Sequence, residues 1–143
     1  MSGPKAYGTF IKRDGHTFRT KAHIQWGEES DESIGCCLLL NPGGTKFVDS
    51  KLEDQLLING GASGQIKTDP TMQQLIKLVE RIYKDKDQIR GKFHIHNLFN
   101  LQNTTAKEAI NEFEAHVNKG EYRFDESLIT SDEMRTHPFI LLG

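Results

Sequence analysis

Cysteine, proline and tryptophan are all scarce in this chain: among 143 residues there are 2 Cys, 4 Pro and 1 Trp. The two cysteines, Cys36 and Cys37, are adjacent and sit inside an apolar run. They read as buried small hydrophobes rather than a disulfide pair, and without an activating base nearby neither is expected to act as a nucleophile. Basic charge is not in excess: the net charge is -2 and the isoelectric point is near 6.3. That argues against a generic electrostatic nucleic-acid binder, although not against a local grip on a nucleotide. No cleavable signal sequence opens the chain, and no apolar stretch approaches the roughly 20 residues of a membrane span. The expectation is a soluble, cytoplasmic protein. No repeat, no Walker motif and no dinucleotide fingerprint is present, since Gly60-Gly61 and Gly64 have neither the spacing nor a preceding strand. The length fits one domain over residues 1–143 with a real core.

The most informative stretch is Ile34 to Thr45, an unbroken apolar run that ends in Asn41-Pro42-Gly43-Gly44-Thr45. Such a run suits a strand buried on both faces at the centre of a sheet. The residues after it suit a loop at the strand's carboxyl end, where open α/β sheets place their ligands. Gly43 and Gly44 let backbone N–H groups approach an anion or a base, with a plain tight turn as the alternative.

Before that run, Tyr7 to Ile11 is a short apolar-rich strand and Arg13-Asp14-Gly15 a hairpin turn signal. A period-two segment follows. Phe18, Thr20, Ala22, Ile24 and Trp26 share one face, and Arg19, Lys21, His23 and Gln25 share the other. That predicts an antiparallel strand near the sheet edge with one wetter face. After the run, Leu52 to Ile58 reads as a short helix, and Asn59 to Gly64 as an irregular glycine-rich excursion, either a binding loop or a solvated insertion. The acidic group Asp49, Glu53 and Asp54 reads as a solvated face, with Mg²⁺ coordination as the alternative.

Asp69 suits an N-cap and Pro70 the first helical position. Met72, Leu75, Ile76, Val79, Ile82 and Tyr83 then recur at helical spacing, so a helix runs to about Lys84. Lys92 to Leu98 is a second inner strand with Asn97 at its end. Thr105 and Glu108 form a capping box for a helix that ends near Gly120. Ser127 to Arg135 reads as a further short helix and His137 to Leu142 as a third apolar strand. The order predicts a three-layer α/β sandwich with a mainly parallel central sheet and an antiparallel N-terminal hairpin. An apolar strand ending at Gly143 is unusual as a native terminus, which leaves truncation of a C-terminal segment as one expectation.

Several segments in order resemble the family called domain of unknown function 1643. They are His16-Thr17-Phe18-Arg19 through Trp26, Leu39-Leu40-Asn41-Pro42 with Thr45, and Asp69-Pro70-Thr71. Asn97-Leu98-Phe99-Asn100-Leu101 with Thr105 and the closing Ile140-Leu141-Leu142-Gly143 complete the set. Members show a serine-threonine pair after Asn-Pro, where this chain has Gly43-Gly44-Thr45, and an arginine where it has Gln102. That layout is in turn similar to the uracil-DNA glycosylase superfamily. The resemblance puts Asn41 and Pro42 on the water-positioning motif, Asn97 on the base-reading asparagine and Gly143 at the end of the third strand. The superfamily's later His-Pro loop would fall beyond residue 143, and His137-Pro138 precedes the third strand, so it is no substitute.

The resemblance implies a site for a nucleobase, nucleotide or nucleic acid. A base held out of the stack is gripped along its edge and on an aromatic face. Asn97 offers a donor and an acceptor, and Phe47 or Phe99 offers a stacking surface. Pro42, Gly43, Gly44 and Thr45 would line the pocket. Asn41 could only position water or substrate, because an amide is not a general base. A glycosylase built this way would rely on electrostatic stabilisation of the departing base. Asn97 as a strand-end cap is the alternative. Two functions follow: hydrolysis of an N-glycosidic bond, or a non-catalytic module that captures a nucleotide or a protein partner.

His94 and His96 alternate along one strand and point to the same face, so they could share a metal if His23 or Asp69 converged on them. Two histidines at this spacing are not a site by themselves. No metal or other cofactor is expected, and the pair would then pack under a helix or line a pocket.

Overall fold

The computed structural model describes residues 3–28, 30–39, 42, 44–83, 88–97, 115 and 135–142. Asn41, Gly43, Phe99 and Gly143 lie outside the described residues. So do nearly all of the helices expected between Thr104 and Gly120 and between Ser127 and Arg135.

The chain opens with a hairpin of β1 (Lys5–Arg13) and β2 (His16–Trp26). Its two-residue turn is Asp14-Gly15, both at positive φ (54° and 80°), as the twist of a tight hairpin requires. Then come β3 (Ser33–Leu39), α1 (Ser50–Asn59), β4 (Gly61–Ile66), α2 (Pro70–Ile82), β5 (Gly91–Asn97) and β6 (Ile140–Leu142). The strands form a six-stranded sheet in the order β4-β1-β2-β5-β3-β6.

Local chemistry sets the helix ends. Asp49 caps α1 by accepting from the Lys51 N–H, and Gly60 closes it in the left-handed region at φ 77°. Asp69 caps α2 by accepting from the Met72 N–H, with Pro70 at the start where its missing N–H costs nothing. Glu53 of the acidic group accepts from the Phe47 N–H at 2.7 Å, so one of those three carboxylates caps the helix and a second ties the preceding loop to it.

Three of the expectations need correction. The sheet is mixed, not mainly parallel: β1·β2, β1·β4 and β2·β5 are antiparallel, while β3·β5 and β3·β6 are parallel. Two features make it so: β2 of the hairpin joins β5 antiparallel, and β4 leaves the β3-to-β5 crossover to pair with β1 from Ala6↔Ile66 to Ile11↔Gly61. The glycine-rich segment read as irregular is therefore largely an edge strand. Finally, β2 lies inside the sheet between β1 and β5 rather than near its edge.

Both described helices pack on one face. Leu56 of α1 and Met72, Leu75 and Val79 of α2 join a cluster with Phe10, Ile24, Cys37, Phe93 and Ile95. Burying these side chains contributes roughly 1.5–3 kcal/mol for each large aliphatic or aromatic one. The opposite face carries Tyr7, Thr9, Lys21, His23, Lys92, His94 and His96 beside an open groove of about 890 Å³. Among the described residues no helix is long and apolar enough to cross a membrane.

Candidate functional site

A bulge in the first hairpin builds the site. Thr9 lies opposite Lys21 but Phe10 lies opposite Arg19, so Thr20 is the extra residue. A bulge shifts the alternation by one position. Arg19 thus turns to the face of Phe10 and the helices instead of joining Lys21 and His23 as the period-two reading placed it. It is 3% exposed.

Asn97, 5% exposed, ends β5 on the same face. Its Oδ1 accepts from Arg19 Nη2 at 3.1 Å. Arg19 Nε, Arg19 Nη1 and Asn97 Nδ2 are buried without a hydrogen-bond partner among the described residues. A buried donor left unpaired costs about 1–3 kcal/mol, and more when charged. Burial lowers the Arg19 pKa from its usual value, and the Asp69 carboxylate is the largest influence acting against that shift. The guanidinium nevertheless stays a cation.

Asp69 links this pair to the loop after β3. Its Oδ1 accepts from Met72 N at 2.7 Å, and its Oδ2 accepts from Thr45 Oγ1 at 3.1 Å. Pro42 and Thr45 are buried, and Gly44 is exposed. Phe47 is 3% exposed, its ring edge-on to Phe10 at 5.1 Å, so it belongs to the core cluster. Of the expected site, Asn97 is bonded to Arg19 and Thr45 to Asp69, and the Asp69 charge acts on Arg19. Sequence reading missed Arg19 as a site residue, because nothing in the local pattern announces the bulge.

His94 and His96 do share a face, their rings 6.3 Å apart and nearly parallel at 15°. His23 stands 6.1 Å from His94, whereas Asp69 caps α2 on the other side of the sheet. The neighbour that sequence reading did not assign to this group is His137, 4.9 Å from His94 and 5.6 Å from His96. Burial, then the neighbouring His137, His23, His96 and Lys92, pushes His94 down to about 4. Cys36 and Cys37 are both free and buried, as expected. Cys37 joins the helix-side cluster, and burial raises its thiol to about 12. Cys36 shares the histidine face, in register with His94, and burial raises its thiol as well.

Comparison of the chain with family models, curated proteins and solved structures finds no match.

Proposed function

We propose that this α/β domain binds an acceptor-rich nucleobase or nucleotide on the helix side of the sheet, at the carboxyl ends of β3 and β5. The observation that carries the reading is the buried Arg19–Asn97 pair, three of whose donor atoms have no partner among the described residues. Asn97 Oδ1 is engaged by Arg19, so the amide's remaining offer is chiefly Nδ2–H. Together with Arg19 Nε and Nη1, that set suits carbonyl oxygens on a base edge or the oxygens of a phosphate. The resemblance to the uracil-DNA glycosylase layout, which puts Asn97 on the base-reading asparagine, supports the same ligand class.

Binding is favoured over N-glycosidic hydrolysis. Among the described residues, the carboxylate that acts on Arg19 is Asp69, and each of its oxygens is occupied, one by the α2 cap and one by Thr45. A general base must reach the proton that it removes, and Asp69 is committed to structure instead. The fold that goes with this reading is a three-layer sandwich in a cytoplasmic protein. Phe18 and Cys36 lie outside the helix-side cluster yet are each 1% exposed, which supports cover on the second face.

The test is a thermal-shift series with nucleobases, nucleosides and nucleotides on the parent, Arg19→Met and Asn97→Ala. A ligand at about 100 times its Kd stabilises by roughly 2.7 kcal/mol. A shift in the parent that disappears in both variants supports the site; a flat series in the parent sinks it. Release of base from uracil-containing single-stranded DNA, lost in Asn97→Ala, would overturn the preference for binding.

A further inference from the structure

The histidine face holds a group of side chains that the Arg19–Asn97 site does not use. Cys36, His96 and His137 each offer one ligand atom, and these atoms all lie within 4.8 Å of one another. The sheet brings them together. Strands β3 and β5 are parallel neighbours with Cys36 beside His94 and Leu38 beside His96, so Cys36 and His96 are one step apart on the same face. Strand β6 runs along the other side of β3 with Ile140 in register with Cys36, and His137 lies just before it. Ser33 Oγ is 2.6 Å from His137 Nδ1. That contact orients the ring and leaves Nε2 as the ligand atom, the usual arrangement for a supported metal-binding imidazole.

We propose that Cys36, His96 and His137 form a transition-metal site, with Zn²⁺ the best match to the donors. One thiolate and two imidazoles are a borderline-soft set that suits Zn²⁺, whereas Mg²⁺ and Ca²⁺ select oxygen ligands. Tetrahedral zinc holds such atoms about 3.4–3.6 Å apart, so modest side-chain rotations close the cluster around an ion. On binding, the Cys36 S–H bond breaks, its proton leaves to solvent, and the sulfur's electron pair forms the bond to the metal. His96 and His137 both border the open groove, which supplies the entry path. Lys92 also borders that groove, and its ammonium is paired with Asp31 at 3.1 Å, which tempers its repulsion of a cation. This site lies on the opposite face from Arg19 and Asn97 and stands or falls without them.

The experiment is a Co²⁺ titration of the chelator-treated full chain, followed by absorbance. One equivalent should produce a thiolate-to-cobalt charge-transfer band that Zn²⁺ displaces. Cys36→Ser should remove the band, and Cys37→Ser and Arg19→Met should keep it. Ser33→Ala should weaken Co²⁺ binding about 10- to 100-fold through loss of ring orientation. Cys36 is buried and its replacement can disturb folding, so His137→Gln, at a half-buried position, carries the decision. With circular dichroism unchanged from the parent, it should weaken binding by at least about tenfold. No band in the parent, a band that survives Cys36→Ser, or His137→Gln binding Co²⁺ as the parent does would each overturn the site.

Discussion

Arg19 and Asn97 stand 78 positions apart in the chain, yet Arg19 Nη2 donates to Asn97 Oδ1 at 3.1 Å in a buried setting. The contact runs between β2 and β5, antiparallel neighbours in the sheet, and depends on the bulge that rotates Arg19 onto the helix face. It leaves more donors than acceptors, which gives the pair an unequal response to substitution.

Asn97→Ala removes the acceptor and leaves the Arg19 guanidinium buried with no hydrogen-bond acceptor among the described residues, which should cost roughly 1–3 kcal/mol. Arg19→Met removes the charge with all its unpaired donors and keeps much of the volume. It should cost less than Asn97→Ala, since replacing buried charge with apolar bulk is often neutral or stabilising. The double variant should fall well short of the sum. Urea unfolding of the three proteins decides; Arg19→Met as the costliest single change would mean that the cation is a net stabiliser.

Asp69 is bound at both oxygens, so its loss should disturb two elements at once. Asp69→Ala removes the α2 cap, worth about 0.5–2 kcal/mol, and also the acceptor for Thr45 Oγ1. Thr45→Val should cost less, and its added cost on top of Asp69→Ala should be smaller than its cost in the parent. Additive losses in unfolding free energy would show that the two residues act independently.

Asp69 also shows which parts of the fold were legible. The start of α2 follows from the adjacent Asp69-Pro70 pair, and the hairpin turn from Asp14-Gly15, because each depends on a few neighbouring residues. The strand β4 was not legible, since residues 59–64 carry no alternation of apolar and polar positions. Its pairing is with the backbone of β1, where Gly64 lies opposite Gly8. Arg19 was misplaced for a similar reason: the bulge is a property of how β1 and β2 register, not of either strand alone. Asn97 could be singled out because a polar residue closing an apolar strand is visible locally. Its partner comes from the other end of the described sheet sequence and is not.

Gly91 is required both by its backbone conformation and by its surroundings. Its φ is 126°, and an added Cβ would sit 2.5 Å from Glu32 O and 3.0 Å from Ile34 Cγ2. Glu32 O is itself held by the Lys92 N–H at 2.8 Å, so it cannot yield freely. Gly91→Ala should destabilise by more than about 1 kcal/mol, while Gly3→Ala, which meets nothing within 4 Å, should be neutral. Equal unfolding midpoints for the two variants would show that the start of β5 adapts.

His94 should make stability depend on pH in a defined window. In the fold, burial with His137, His23, His96 and Lys92 around it pushes its pKa down to about 4 from the ordinary 6.5. Between those values the unfolded chain binds a proton at this side chain and the folded chain does not, so stability falls as pH drops from 6.5 towards 4. Above 6.5 the imidazole is neutral in both states and contributes no slope. The comparison is the urea midpoint of the parent and His94→Gln at pH 7.5 and pH 5, with a chelator present so that no metal contributes. The parent should lose more stability than His94→Gln between the two conditions. Identical losses would show that His94 is protonated in the fold near its ordinary pKa, and that the histidine face is better hydrated than its burial implies.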